Sequence, residues 1–488
     1  MTFSLPSPRN WQLPIPTETP DWLTTSYKKQ QRLRSKLTRR IQDMLPQEQT
    51  DQRLLLSSLS LGMTATAFVV PSASGLAVMS LPLSLAVFAP TLQDAYQTLR
   101  EERRINNDVL TATRLGLCTV MHFYGIAALD AFLQSVSRKL HMQSEQDWEA
   151  TRQSIISQLA TDEVTEQRLA SWFTHSVETQ SAVQTRGALQ ADRFAPYMFA
   201  SFFATLPFYD AGRAGAFLMT SFGAHTNMLS PTTVRDFVNQ AAHHSILVRD
   251  ARALESAETC DLLIINTDLL AKHTARSNFS LALKALRQQH PDLLVIAISH
   301  KQNTPARAIL HRTVGLDEWI CVASQADQVD TLQTFQRQGR HVCYIGDGIT
   351  DQALLSAAHL SIAINPQTME SDNPAHIILL GQDPFTRLDH LFTLASQFNH
   401  RQAFNFKAPI VFDVLDITTT IVIHFGLFYS VLFNYSGLLL STLNAREPFW
   451  WFKQDRKRKE TKQLSAPIQW TPNALDENSQ VEPQHSTT

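Results

Sequence analysis

Hydrophobic positions along this chain fall into two kinds of segment. The first kind is long and nearly free of charge: Leu54 to Val70 and Gly75 to Ala89, split by Pro71-Ser72; Val109 to Val136; Phe194 to Pro207 and Ala214 to Leu229; and Pro409 to Phe428 with Tyr429 to Leu443. Each run of the first pair approaches the roughly 17 residues that a membrane-spanning helix needs. These runs predict membrane α-helical hairpins over residues 54–136, 193–232 and 405–446. The second kind is short and alternates with helix-compatible stretches: Asp261 to Asn266, Leu293 to Ile298, Glu318 to Ala323, Val342 to Ile345, Leu360 to Ile364 and Ala375 to Leu380. Apolar strands separated by helices predict a parallel, Rossmann-like α/β domain over residues 240–400.

The polar intervals orient the hairpins. Residues 1–50 hold a basic run of Lys28, Lys29, Arg32, Arg34, Lys36, Arg39 and Arg40 and show no cleavable signal pattern. Further basic clusters follow the first pair at 100–104 and the last pair at 453–462, the latter behind Trp450-Trp451. Basic flanks stay on the cytoplasmic side. They predict a multi-pass protein of a bacterial-type inner membrane with both termini in the cytoplasm. Arg114 and Asp130 interrupt the run 109–136, which is read as a short hairpin. Residues 137–192 are polar and helix-prone, and 447–488 form a basic, then Gln/Pro/Ser-rich, disordered tail.

Composition changes this picture little. A formal net charge of -2 gives no reason to expect nucleic acid. Cys118, Cys260, Cys321 and Cys343 stand far apart without a CxxC pair, so neither a disulfide framework nor a thiolate metal site is expected.

Candidate chemistry concentrates in two places. In the stretch 341–364 an apolar strand stops at Gly346-Asp347-Gly348, Asp351 follows, then a helix and a second strand. Two aspartates four apart beside glycines suit a Mg²⁺ held near a phosphate, and an ordinary βα turn with aspartate caps would show the same residues. In the last hairpin, Asp413 and Asp416 share a helix face with His424 about two turns on. Acids inside a membrane segment point to a proton or cation site, and acids at the membrane interface are the alternative.

The residues Gly346 to Asp351 and the following ALLSAAHLSIAI resemble the GDGxND hinge of P-type cation ATPases. Ser230-Pro231, then Ile246 to Arg249 with Ala253-Leu254-Glu255, resemble elements of the heavy-metal branch of that family. The resemblance implies a haloacid-dehalogenase-like phosphorylation domain and places the branch's CPC metal motif on Phe222, Gly223 and Ala224. It places the phosphorylated aspartate on Asn266, with Asp268 as the one nearby substitute, and puts Lys301 where the family has an acid. No Thr-Gly-Glu triplet occurs in the chain, no lysine lies between Lys301 and Lys407, and Thr350 replaces the hinge asparagine. The interval after Asn266 is too short for the family's nucleotide-binding domain, and 137–192 is read as a vestigial actuator region.

The expectation is therefore a pseudo-ATPase: a non-catalytic structural or regulatory protein in a lipid membrane, partnered with another membrane protein or a cation transporter. Mg²⁺ at Asp347 and Asp351 is its one candidate cofactor. The alternatives are an active cation-transporting ATPase, or a phosphatase-like hydrolase using Asp268 and Asp347. A further alternative is an ATP-independent cation or proton carrier built on Asp413, Asp416 and His424.

Overall fold

The computed structural model describes residues 46–462 apart from 160–165, 171, 174–179, 250, 268, 270–278, 300–314, 349, 365–373 and 382–383. The basic run before residue 46, the tail from 463, Asp268 and Lys301 lie outside the described residues.

The helices are α1 Pro46–Val69, α2 Gly75–Gln97, α3 Asn107–Val120, α4 Tyr124–Leu159, α5 Ala182–Thr205, α6 Thr226–His243, α7 Ala251–Thr259, α8 Phe279–Gln289, α9 Gln325–Arg337, α10 Gln352–Ala357, α11 Arg387–Val422 and α12 Leu427–Lys462. The strands are β1 Ile246–Val248, β2 Leu262–Asn266, β3 Leu294–Ser299, β4 Glu318–Cys321, β5 Val342–Gly346, β6 Leu360–Ala363 and β7 Ile377–Leu379. They form one sheet in the order β1-β7-β6-β5-β2-β3-β4. Every pairing is parallel except β1 with β7, where Ile246 faces Leu379. Helices cover both faces, so β2 and β5 are buried throughout except for Asn266 at the tip. That double burial explains why these strands read as continuous apolar runs rather than alternating ones. Successive strands run outward from β2 to β4 and, the other way, from β5 to β7. The order reverses between β2 and β5, where open α/β sheets place their sites.

The helices outside the sheet bury hydroxyls and carboxyls beside an apolar core and turn other large apolar side chains outward. Ser57, Ser60, Ser80 and Ser84 are buried between α1 and α2. Ser60 Oγ donates to Ser80 O at 3.0 Å and meets Ser84 Oγ at 2.8 Å. Leu55, Leu59, Met79 and Phe68 face outward, Phe68 with 91% of its surface exposed. In α11 and α12 the same holds, with Asp413, Asp416, Thr420 and Ser430 inside and Val411, Val414, Val422 and Leu439 outside. Gly75–Glu102, which is α2 and its continuation, is long and apolar enough to cross a membrane by length and composition.

Three helices belong to both halves. In α4, Ala127 and Ala131 pack among the helices, and Trp148 and Ile156 pack in the core under the sheet. Leu169 and Phe173 join that same core, with the Phe173 ring edge-on to Trp148 at 5.9 Å. The described part of 137–192 is thus a strut docked on the α/β domain. In α6, Leu229 packs among the helices while Phe237 and Val238 pack under the sheet. The third, α11, runs for 36 residues through Pro409. It joins two segments that the sequence pattern separated at that proline.

The charges that interrupt the 109–136 run are paired. α3 and α4 form a hairpin turning through His122, which takes a left-handed conformation (φ 60°). Arg114 Nη2 and Nε donate to Asp130 Oδ2 at 2.7 and 3.1 Å, Arg114 Nη1 donates to Leu218 O at 3.3 Å, and Tyr435 Oη donates to Asp130 Oδ1 at 2.7 Å. This buried network ties α3 and α4 to α12. Removing one partner of a buried pair costs about 3–5 kcal/mol, whereas replacing both by apolar residues costs far less. Arg114→Met should therefore destabilise the detergent-solubilised protein strongly, and Arg114→Met with Asp130→Leu should recover most of the loss in thermal unfolding. A double variant as unstable as the single one would contradict this account.

Candidate functional site

The site forms where the carboxyl ends of β2 and β5 lie side by side. Ile265 pairs with Ile345, which brings Asn266 next to Gly346 and the loop after it. Asp351, almost wholly buried, turns back from the start of α10 into this gap. Asn266 Nδ2 donates to Asp351 Oδ2 at 2.7 Å, and the Asp347 backbone N–H donates to the same oxygen at 3.0 Å. Thr350 Oγ1 donates to Asp351 Oδ1 at 3.3 Å. The close approach requires glycine at 346: a Cβ there would stand 2.6 Å from Asp351 Oδ2 and 2.5 Å from the Tyr344 ring. Burial, then the nearby Asp351 carboxylate, push the Tyr344 phenol well above its ordinary pKa, so it stays neutral.

Asp347 and Asp351, the pair expected to hold Mg²⁺, come together at this loop through the Asp347 N–H bond to Asp351. Mg²⁺ completes its octahedron with water and phosphate oxygens around one or two carboxylates. Asp351 Oδ2 already accepts from two donors, and among the described residues no group of three His, Cys, Asp or Glu side chains is placed to hold a metal ion. A carboxamide is a poor nucleophile and cannot form an acyl phosphate. As built, the pocket pairs a carboxamide with a buried carboxylate.

The second candidate region lies among the helices. The apolar run Ala214 to Leu229 is not one helix: a single turn at Ala211–Ala214 and a 3-10 turn at Gly215–Leu218 lead into a break before α6 begins at Thr226. Phe222 and Gly223, at the expected CPC position with Ala224, take positive φ values of 35° and 105°. The Asp413 carboxylate closes this break. Its Oδ2 accepts from Phe222 N at 2.7 Å, Ser221 N at 3.2 Å and Ser221 Oγ at 3.3 Å. Gly187 of α5 approaches from the other side, so near that a Cβ on it would stand 1.7 Å from Thr226 Oγ1. The Phe222 ring packs 5.0 Å from Phe194, and His225 Nδ1 meets Ser221 Oγ at 3.2 Å. The break is filled by the chain's own groups.

Asp416 lies buried one turn beyond Asp413, but His424 does not join them. α11 ends at Val422, and His424 follows in a left-handed turn (φ 61°), exposed, its ring 5.9 Å from Tyr209. The spacing argument assumed a helix that continues; the helix stops first. Sequence reasoning missed Tyr344, Gly187, Thr420 and Ser430. Tyr344 looks like an ordinary core aromatic, and nothing local marks Gly187 as a contact of a break so far along the chain.

No protein-family model matches the chain. A potassium-transporting ATPase ATP-binding subunit 2 from Nostoc sp. is 31% identical over 90 residues, which is 18% of this chain and 13% of that protein. A copper-transporting ATPase 2 from Rhizobium meliloti is 28% identical over 100 residues, 20% of this chain and 12% of that protein. The chain therefore matches only a small fraction of these curated relatives' length. A crystal structure of a zinc-transporting PIB-type ATPase superposes with a TM-score of 0.55 at 11% identity, over 83% of this chain and 100% of that one. A second crystal structure of such a pump, in another state, gives 0.52 at 12% identity, over 83% and 99%.

The chain resembles a P-type ATPase. At this identity the structural likeness is one of fold: a set of long helices joined to a haloacid-dehalogenase-like α/β domain. Against that fold, Asn266 and Asp351 stand at the sheet's switch point.

Two substitutions test the geometry. Asn266→Ala leaves the buried Asp351 carboxylate short of a donor and should lower stability by about 1–3 kcal/mol. Gly346→Ala forces Tyr344 and Asp351 apart and should shift thermal unfolding further down. Unchanged melting of both purified variants would contradict the packing described.

Proposed function

We propose that this protein is a multi-pass membrane protein of P-type ATPase fold that forms no aspartyl phosphate and serves as a structural or regulatory partner of another membrane protein. The observation that carries this reading is the hydrogen bond from the Asn266 amide to Asp351 at the acceptor end of β2. Supporting features point the same way. Only α8 and its flanks separate Asn266 from Leu294, where a pump would insert a nucleotide domain. The break at residues 222–224 lacks thiolate donors and is closed by Asp413. The buried hydroxyls and outward-facing apolar side chains of α1, α2, α11 and α12 suit a lipid surround, where interfaces favour small polar residues and outward faces are apolar. A bacterial-type inner membrane with both termini cytoplasmic agrees with the basic flanks.

The comparisons taken alone favour a second reading. The relatives are named as ATPases that transport potassium, copper or zinc, so an active cation-transporting ATPase, or a hydrolase, of altered mechanism is the alternative. It requires Asp268 to replace Asn266 as the acceptor.

Acid-stable phosphoenzyme formation from labelled Mg-ATP separates the two. The full chain, purified in detergent, should take up no label, and Asn266→Ala and Asp268→Ala should behave alike. Label that vanishes only in Asp268→Ala would overturn the non-catalytic reading and assign the acceptor to Asp268.

A further inference from the structure

Asp416 is the one carboxylate between α11 and α12 whose two oxygens both lack a hydrogen-bond partner, among the described residues. It is 2% exposed. Two hydroxyls beside it are also unpaired and buried: Thr420 Oγ1, one turn along the same helix face, and Ser430 Oγ, which faces Asp416 from α12. The neighbouring threonines show what a helix normally does with such a group. Thr418 and Thr419 turn back and donate to the carbonyls of Val414 and Leu415, at 2.7 and 2.9 Å. Thr420 makes no such bond, so its hydroxyl is free for the space beside Asp416.

Among the described residues the surroundings supply no opposite charge. The other titratable group near it is Asp413, on its own helix and already engaged by Ser221 and Phe222. From α12 the facing group is Ser430, and the Arg114–Asp130–Tyr435 network is closed on itself. A buried, unpaired carboxylate without a counter-cation is taken up as the neutral acid. Its donor set suits nothing larger: one carboxyl and two hydroxyls fall well short of the roughly six oxygens that a desolvated metal cation requires.

We propose that Asp416, with Thr420 and Ser430 as hydrogen-bonding neighbours, is a proton-binding site in the helical half of the molecule, separate from the closed break at residues 222–224. The ligand is a proton and not a metal ion, and Asp413 and His424 are not part of the site. The inference rests on the membrane reading of these helices, since a lipid surround is what keeps water from solvating the acid.

Dicyclohexylcarbodiimide, a lipophilic reagent, tests this directly. It reacts with a protonated carboxyl in an apolar setting: the acid proton passes to a carbodiimide nitrogen while the carboxyl oxygen adds to the central carbon, and rearrangement leaves a stable N-acylurea. The full chain, in native membranes and in detergent, is treated and the adduct mapped by mass spectrometry. The expected result is an adduct on Asp416, absent in Asp416→Asn, undiminished by NaCl, KCl or ZnCl₂, and at least severalfold lower when a water-soluble carbodiimide is used. No adduct on Asp416, or one suppressed by any of those salts, would overturn the proposal, the latter in favour of a metal-ion site. An alkaline carbonate wash of the same membranes reads the membrane assignment independently. A protein released by the wash sinks that assignment whatever the adduct shows, whereas a retained protein without the adduct sinks the proton site alone.

Discussion

Three continuous helices hold the two halves of this molecule together, and α11 is the longest reach between the sheet and the acids. α11 carries Leu388, Leu391, Phe392 and Phe398 into the core under the sheet, then Asp413 and Asp416 among the helices, without a break between them. At the α-helical rise its 36 residues span about 54 Å. Because α4 and α6 cross the same boundary, the position of the sheet relative to the helices is fixed by three continuous elements and not by a flexible linker. Any movement at the β2–β5 site would be transmitted along them. In this chain, both ends of the connection are closed: Asn266 donates to Asp351 at the end of β2, and Asp413 accepts from the helix break.

The two closures share one physical logic. Each takes a place where the fold brings unsatisfied polar groups together and fills it from within the chain. At the sheet, a side-chain amide and a backbone N–H donate to a buried carboxylate. At the break, a carboxylate accepts from the backbone N–H groups that unwinding leaves free, as an N-cap does for a helix start.

Much of the α/β half was legible because burial on both faces writes itself into the sequence as continuous apolar runs. The strands at Leu262–Asn266, Val342–Gly346 and Leu360–Ala363 fall within a residue or two of where those runs stand. The loop with Asp347 and Asp351 was legible from its glycines. Asn266 could be placed only through the resemblance, and that it donates to Asp351 depends on the pairing of β2 with β5, which no local pattern encodes. Among the helices, apolar runs marked the hairpins but not their interruptions. Pro409 removes one N–H donor and was read as a boundary, yet α11 continues through it. Gly215 and Gly223 break what looked like one helix, and the groups that close the break come from α5 and α11, far away in sequence. His424 was grouped with the acids by periodicity alone, which cannot reveal where a helix stops.

The most direct test of the central claim, that a neutral amide keeps the acceptor position closed, is thermal unfolding with and without Mg²⁺ and beryllium fluoride, a phosphoryl analogue that requires a free aspartate carboxylate. A ligand that binds only the folded state raises its melting temperature. The wild-type protein should show no shift, and Asn266→Asp, which puts a second carboxylate against Asp351, should be stabilised by the pair of ligands together. A shift of the wild-type protein that is lost in a Mg²⁺-free control would show an open, metal-binding acceptor site and contradict the account.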